Sequence, residues 1–184
     1  TKELINNGIH VLVEKPMTGT VSEAEDLIML SKKSSTILQP GYIERFNPAL
    51  EAIKKLDVSL KFIECHRLSP FTFRSADIGV VLDLMIHDID IILYLSKSKV
   101  KKIDAVGVNV IADKEDIANA RIQFENGCVA NITASRVSFE PMRRIRLFSE
   151  NSYISLDYQK QEVLIYKKSP KLTLKSIDPE GKGV

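Results

Sequence analysis

The chain has 184 residues, 44% hydrophobic and 27% charged, the composition of an ordinary globular protein with one full domain or one small domain and part of another. Its 26 basic and 24 acidic residues leave a net charge of +2 with no block of like charge, which argues against a nucleic-acid or membrane-surface partner. Cys65 and Cys128 stand far apart and fit no metal spacing; two isolated thiols suit a reducing, cytoplasmic setting.

Residues 1–7 read as the end of a helix stopped by Asn7-Gly8. Residues 10–13 make a short apolar strand that breaks off at Glu14-Lys15-Pro16. Ser22, with Glu25 three residues on, reads as a capping box for a helix to about residue 33, with Ala24, Leu27, Ile28 and Leu30 facing a core. Residues 36–42 give a second strand. Strand, helix, strand at this spacing is a βαβ unit with parallel strands and a right-handed crossover. Sites in such sheets gather at the carboxyl ends of the strands, here residues 14–16 and 42–47. Asn47-Pro48 then caps and opens a helix to about residue 56.

From residue 58 the pattern turns to strands. Leu60, Phe62, Glu64 and His66 alternate with Lys61, Ile63, Cys65 and Arg67. Residues 102–111, 117–124, 129–135, 143–149, 153–158 and 162–167 read as further strands. Glu125-Asn126-Gly127 and Glu150-Asn151-Ser152 mark hairpins, and connections this short impose antiparallel pairing. The expected fold is an α/β unit over residues 1–57, followed by an α+β domain over residues 58–184 with a large, mostly antiparallel sheet. Both ends read as interruptions, so the chain is expected to be the middle of a longer protein.

One helix interrupts the strands. Residues 78–95 are apolar nearly all round, which implies burial on most sides, yet Asp83, His87, Asp88 and Asp90 lie within the stretch. At about 100° per residue, Asp83, His87 and Asp90 share one narrow face and Asp88 points elsewhere. Buried ionisable groups cost several kcal/mol unless partnered, so the stripe needs partners or a job. Four charges also argue against a membrane span. His87 is a candidate general acid or base with a pKa expected near neutrality, and Asp83 can orient it or bind a hydroxyl. Lys15, at a strand's carboxyl end, can polarise an oxygen. The structural alternatives are a satisfied core histidine, an aspartate bound to backbone and a surface lysine. A metal site from Asp83, His87 and Asp90 has the right residue types but no further histidine or cysteine to help, so none is expected.

Three segments carry a resemblance: Gly8-Ile9-His10-Val11-Leu12-Val13-Glu14-Lys15-Pro16, residues 41–49 (GYIERFNPA), and Asp83-Leu84-Met85-Ile86-His87-Asp88-Ile89-Asp90. In this order and spacing the chain resembles the glucose–fructose oxidoreductase/inositol dehydrogenase/MocA (Gfo/Idh/MocA) family over nearly its whole length. The resemblance implies a two-domain oxidoreductase: a Rossmann domain for NAD or NADP, then a substrate domain whose open sheet makes a homodimer. It implies catalytic roles for Lys15, Asp83 and His87, with Glu14, Lys15 and Pro16 beside the cofactor. No Gly-x-Gly-x-x-Gly is present, so residues 1–57 are expected to be a Rossmann remnant that does not by itself hold the dinucleotide.

For substrate, Arg45, Asn47, Arg67 and Arg74 are the candidate contacts. Three arginines suit an anionic or phosphate-bearing ligand, in keeping with family members that oxidise nucleotide sugars, including UDP-N-acetylhexosamine dehydrogenases. The alternative is that these arginines pair with Glu44, Asp77 or Glu140. The function expected of the parent is oxidation of a hydroxyl on a sugar, cyclitol or nucleotide sugar. The other readings are a non-catalytic ligand sensor on the same fold and a dimerisation fragment.

Overall fold

The computed structural model of the protein describes residues 1–56, 58–73 and 77–169. A small α/β unit opens the chain: α1 (Lys2–Asn6), β1 (Val11–Glu14), α2 (Val21–Lys33) and β2 (Leu38–Gly41). β1 and β2 pair in parallel, in register from Val11 opposite Leu38 to Glu14 opposite Gly41, as the βαβ reading requires. Ile5, Val11 and Leu27 close its small core. The capping box differs from the expected one. Thr20, not Ser22, is the cap: its hydroxyl accepts from the Glu23 N–H, and the Glu23 carboxylate accepts from the Thr20 N–H. The helix therefore begins at Val21, two residues earlier, with the same chemistry.

A 3-10 turn (Ile43–Phe46) leads into α3 (Pro48–Lys54), capped by Asn47 through the Ala49 N–H with Pro48 in the first turn. Ala49, Leu50 and Ile53 bury against the large sheet, so α3 belongs by packing to the larger core, ahead of the change read at residues 57/58.

That sheet has seven strands among the described residues: β3 (Leu60–Leu68), β4 (Val100–Val108), β5 (Ile117–Phe124), β6 (Val129–Ser135), β7 (Met142–Ser149), β8 (Ser152–Asp157) and β9 (Glu162–Lys167). Their order is β4-β5-β6-β3-β7-β8-β9. Every pair is antiparallel except the central one, β3 with β6, which runs parallel from Phe62 opposite Val129 to Leu68 opposite Ser135. Both expected hairpins are present, and Gly127 takes φ +84° in the first.

The two faces of the sheet differ. One carries Ile63, Cys65, Ile122, Ala130, Ile132, Ile145, Leu147, Ile154 and Leu156, all buried under α3 and α4 (Ile86–Ser96). Ile91 and Ile92 of α4 are fully buried there, about 1.5–3 kcal/mol each. The other face carries Asn119, Arg121, Glu64 and a row of cross-strand rings, Phe62–Phe148–Tyr153–Tyr166, with centroids 5.9, 5.1 and 5.8 Å apart. Among the described residues, no helix is long and apolar enough to cross a membrane.

Candidate active site

The polar helix does not start as an α-helix. Residues Val81–Met85 form a π turn, and the Ile86 N–H reaches back five residues to the Val81 carbonyl before α4 proper begins. A π turn re-aims side chains relative to the 100° period and releases a backbone carbonyl from the ladder. Within this turn the Asp83 carbonyl faces the end of β1. Lys15 Nζ donates to it and, at 3.1 Å, to the Asp83 carboxylate. A single aspartate thus fixes the ammonium at the end of β1 with both its backbone and its side chain. The Lys15–Pro16 peptide bond is cis.

The π turn is itself anchored. The Val80 N–H donates to the Glu115 carbonyl at 2.9 Å and the Val81 N–H to the Glu115 carboxylate at 3.3 Å. Arg136 Nη1 donates to the Ile78 carbonyl at 2.7 Å while its Nε holds Asp116 at 2.7 Å. Asp116 also accepts the N–H groups of Val110, Ile111 and Ala112. Burial opposes its charge, but these donors hold its carboxyl well below the usual carboxylate range. Gly79 makes the arrangement possible, since a Cβ there would lie 1.8 Å from the Glu115 carboxylate.

Lys15, Asp83 and His87 line one cavity of about 480 Å³, together with Glu14, Pro16, Glu44, Arg67, Thr72 and Arg143. It opens at the carboxyl ends of β1 and β2. His87 is partly buried, and its Nδ1 is buried with no hydrogen-bond partner among the described residues. Burial first, then the positive charges of Arg67, Lys15 and Arg143, push its pKa down to about 3. This corrects the value near neutrality expected from the sequence: the imidazole is neutral throughout the physiological range.

The expected one-face stripe divides. Asp83 and His87 face the cavity, but Asp90 is buried against Arg45, which grips it through two bonds of 2.7 and 2.6 Å. Asp88 turns to the sheet, where Arg67 holds it through two bonds of 2.9 Å and reaches Glu44 at 3.2 Å. Among the described residues, no group of three His, Cys, Asp or Glu side chains is placed to hold a metal ion.

The candidate substrate contacts fare differently from the triad. Arg45 does not line the cavity; it pairs with Asp90 and lies 5.4 Å from the Tyr94 ring. Asn47 caps α3 and donates to the Tyr158 carbonyl, away from the cavity. Arg67 touches the cavity, but its side chain is 3% exposed and its guanidinium is committed to two carboxylates. Arg74 lies outside the described residues. The residue that sequence reasoning missed is Arg143, directly across the ladder from Arg67 and facing the same cavity. A detectable sign was present: in β7, Arg143 shares its period-2 face with the apolar Ile145 and Leu147.

The comparisons agree with this layout. Residues 62–155 match the GFO/IDH/MocA C-terminal domain, and residues 1–42 match an oxidoreductase family with an NAD-binding Rossmann fold. UDP-N-acetylglucosamine 3-dehydrogenase of Acidithiobacillus ferrooxidans is 41% identical over 160 residues, covering 86% of this chain and 51% of that enzyme. A solved structure of it gives a TM-score of 0.84 at 39% identity, over 90% of this chain and 56% of that one. The NAD(+)-dependent scyllo-inositol 2-dehydrogenase of Bacillus subtilis is 28% identical over 147 residues, 72% of this chain and 43% of that enzyme. The chain spans about half the length of the curated relatives it matches. With its two domain types in the same order, its mostly antiparallel seven-stranded sheet and this degree of identity, the chain belongs to the GFO/IDH/MocA family of oxidoreductases.

Proposed function

We propose that the whole protein is an NAD(P)-dependent dehydrogenase acting on a hydroxyl of a nucleotide sugar of the UDP-N-acetylhexosamine type. The observation that carries this reading is the convergence of Lys15, Asp83 and His87 on one cavity at the carboxyl end of β1. The donor set fits the cofactor: it handles the proton and charge of an alcohol oxygen and contains no hydride acceptor of its own. Glu14, Lys15 and Pro16 would lie beside the nicotinamide. When bound, that group supplies the acceptor for the hydride of the carbinol carbon.

The residues of the chain then divide the remaining work. Lys15 donates a hydrogen bond to the substrate oxygen and stabilises negative charge on it electrostatically. Asp83 keeps the ammonium aimed through its two contacts. The neutral imidazole of His87 accepts the hydroxyl proton, and its low basicity leaves most of the alkoxide stabilisation to Lys15. We further infer a homodimer through the open sheet face and its ring row, and a cytoplasmic setting in which the free, buried thiols of Cys65 and Cys128 stay reduced. The test is turnover of the complete protein with NAD or NADP on UDP-N-acetylglucosamine, neutral hexosamines and inositols. Lys15→Met or His87→Asn should lower it roughly 100-fold or more with the fold intact. Oxidation of none of these by the wild type, or near wild-type turnover by either variant, would overturn the reading.

A further inference from the structure

The cavity walls bear three cations and three carboxylates: Lys15, Arg67 and Arg143 against Glu14, Glu44 and Asp83. Two of the cations are spoken for. Lys15 is bound to Asp83 at 3.1 Å, and Arg67 to Asp88 at 2.9 Å and Glu44 at 3.2 Å. The Glu14 carboxylate folds back over the end of β2, 3.3 Å from where a Cβ on Gly41 would stand. Arg143 has no carboxylate within ion-pair distance among the described residues, and it is exposed.

Its neighbours along the strand are treated differently. Alternation in β7 puts Arg144 and Arg146 on the open face, where Asp157 at 3.4 Å and Glu64 at 3.2 Å hold them. Arg143 alone of the three turns to the cavity face, opposite another arginine in the ladder. Like charges directly across a ladder are destabilising, so folding alone gives no reason to place this one there. An anion arriving in the cavity would supply the missing counter-charge. Guanidinium geometry favours a phosphoryl group, which it can bind through two parallel N–H···O bonds. The cavity volume of about 480 Å³ lies within the range of small-molecule sites.

We propose that Arg143 binds a phosphoryl group of the substrate and thereby selects phosphate- or diphosphate-bearing sugars over neutral ones. This deepens the nucleotide-sugar reading and rests on it for the identity of the ligand, though not for the existence of an anion site. The experiment is calorimetric titration of the complete wild-type protein, Arg143→Gln and Arg143→Lys, each checked for an unchanged melting curve. The ligands are UDP-N-acetylglucosamine, free N-acetylglucosamine and inorganic pyrophosphate. Arg143→Gln should weaken the UDP-sugar and pyrophosphate roughly 10-fold or more, the size of a lost charge-assisted pair, and leave the free sugar within twofold. Arg143→Lys should fall between, keeping charge but losing the fork. In steady state, Arg143→Gln should raise KM for the UDP-sugar more than it lowers kcat. Affinities for the UDP-sugar and pyrophosphate that stay within twofold in Arg143→Gln would overturn the proposal. Arg143-dependent binding of pyrophosphate by a wild type that oxidises no nucleotide sugar would sustain the anion site and remove the functional reading instead.

Discussion

Asp88→Leu tests whether the polar residues of the central helix hold the fold together. Arg67 and Asp88 are 3% and 2% exposed, joined by two bonds of 2.9 Å, with the Tyr158 ring 5.4 Å from the guanidinium carbon. Burial alone would weaken the arginine's hold on its proton; the Asp88 carboxylate more than offsets this and raises its pKa above the ordinary value. Removing Asp88 strands a buried cation with only Glu44, at 3.2 Å, to answer it among the described residues. Breaking a buried pair on one side costs about 3–5 kcal/mol, and the surviving contact puts the expectation at the lower end, about 3 kcal/mol. In a chain of this size that is a fall in Tm of roughly 6–12 °C. Urea denaturation followed by far-ultraviolet circular dichroism measures it directly. The double variant Arg67→Met/Asp88→Leu should return to within about 1 kcal/mol of wild type, because apolar side chains of similar volume replace the pair without an orphan charge. The double variant should also raise the pKa of His87, since the Arg67 charge is, after burial, the next cause of its depression. A cost below about 1 kcal/mol for Asp88→Leu alone would refute the account of the pair.

Further outcomes follow from the same geometry. His87 should show no titration between pH 5 and 8 when its ring protons are followed by nuclear magnetic resonance. Because its folded pKa of about 3 lies below the unfolded value of about 6.5, the unfolded chain binds the proton first as pH falls; the stability His87 contributes is whole above about pH 6.5 and drains away down to about pH 3. Replacing His87 with glutamine should flatten that window in urea titrations at stepped pH. Gly79→Ala should cost about 1–2 kcal/mol by displacing Glu115 from the Val81 N–H, and Glu115→Ala should cost a similar amount. The double variant should cost little more than either one, so strict additivity in denaturation would show that the two act separately. Tyr153→Glu, in the middle of the ring row, should shift the expected dimer to monomer in sedimentation equilibrium, and a monomeric wild type would remove the open-face interface.

Much of this architecture was legible because local rules decided it. The strands 117–124, 129–135 and 162–167 begin and end where alternation and turn residues place them. Lys15, Asp83 and His87 were legible as a set because each sat where burial or a strand end made its residue type conspicuous. The parallel pairing of β3 with β6 was not, since hairpin signals speak only for neighbours in sequence and nothing local records which edge a distant strand finds. The cap at Thr20 was missed because Ser22-Glu25 repeats the same spacing two residues later, and both satisfy the local rule. The partners of the arginines were hidden for another reason. An arginine's partner is a property of the folded chain, and Arg45 and Arg67 had aspartates waiting on a helix far along the sequence.

The deeper misreading concerned the helix period. A uniform 100° step places Asp83, His87 and Asp90 on one face, but the π turn at Val81–Met85 adds a residue to the first turn, and apolar residues such as Val81, Leu82 and Leu84 carry no mark of it. Its consequence is a division of labour along α4 and its π turn. Three of the four ionisable groups are carboxylates, and each is met by a cation from a separate segment: Asp83 by Lys15 after β1, Asp88 by Arg67 on β3, and Asp90 by Arg45 in the 3-10 turn. Two of those cations come from residues 15–45 and one from the large sheet, so the helix joins the small α/β unit to the sheet through its charges as well as its apolar side. Once the three pairs form, His87 has a buried Nδ1 without a partner and Arg143 a charge without a counter-charge among the described residues, both at the same cavity. Fully satisfied polar networks rigidify a core, and a polar group left outside them at a cavity is free to meet a ligand. The stripe is therefore largely structural, and the proposed chemistry rests on the two groups it leaves unmatched together with the lysine it holds in place.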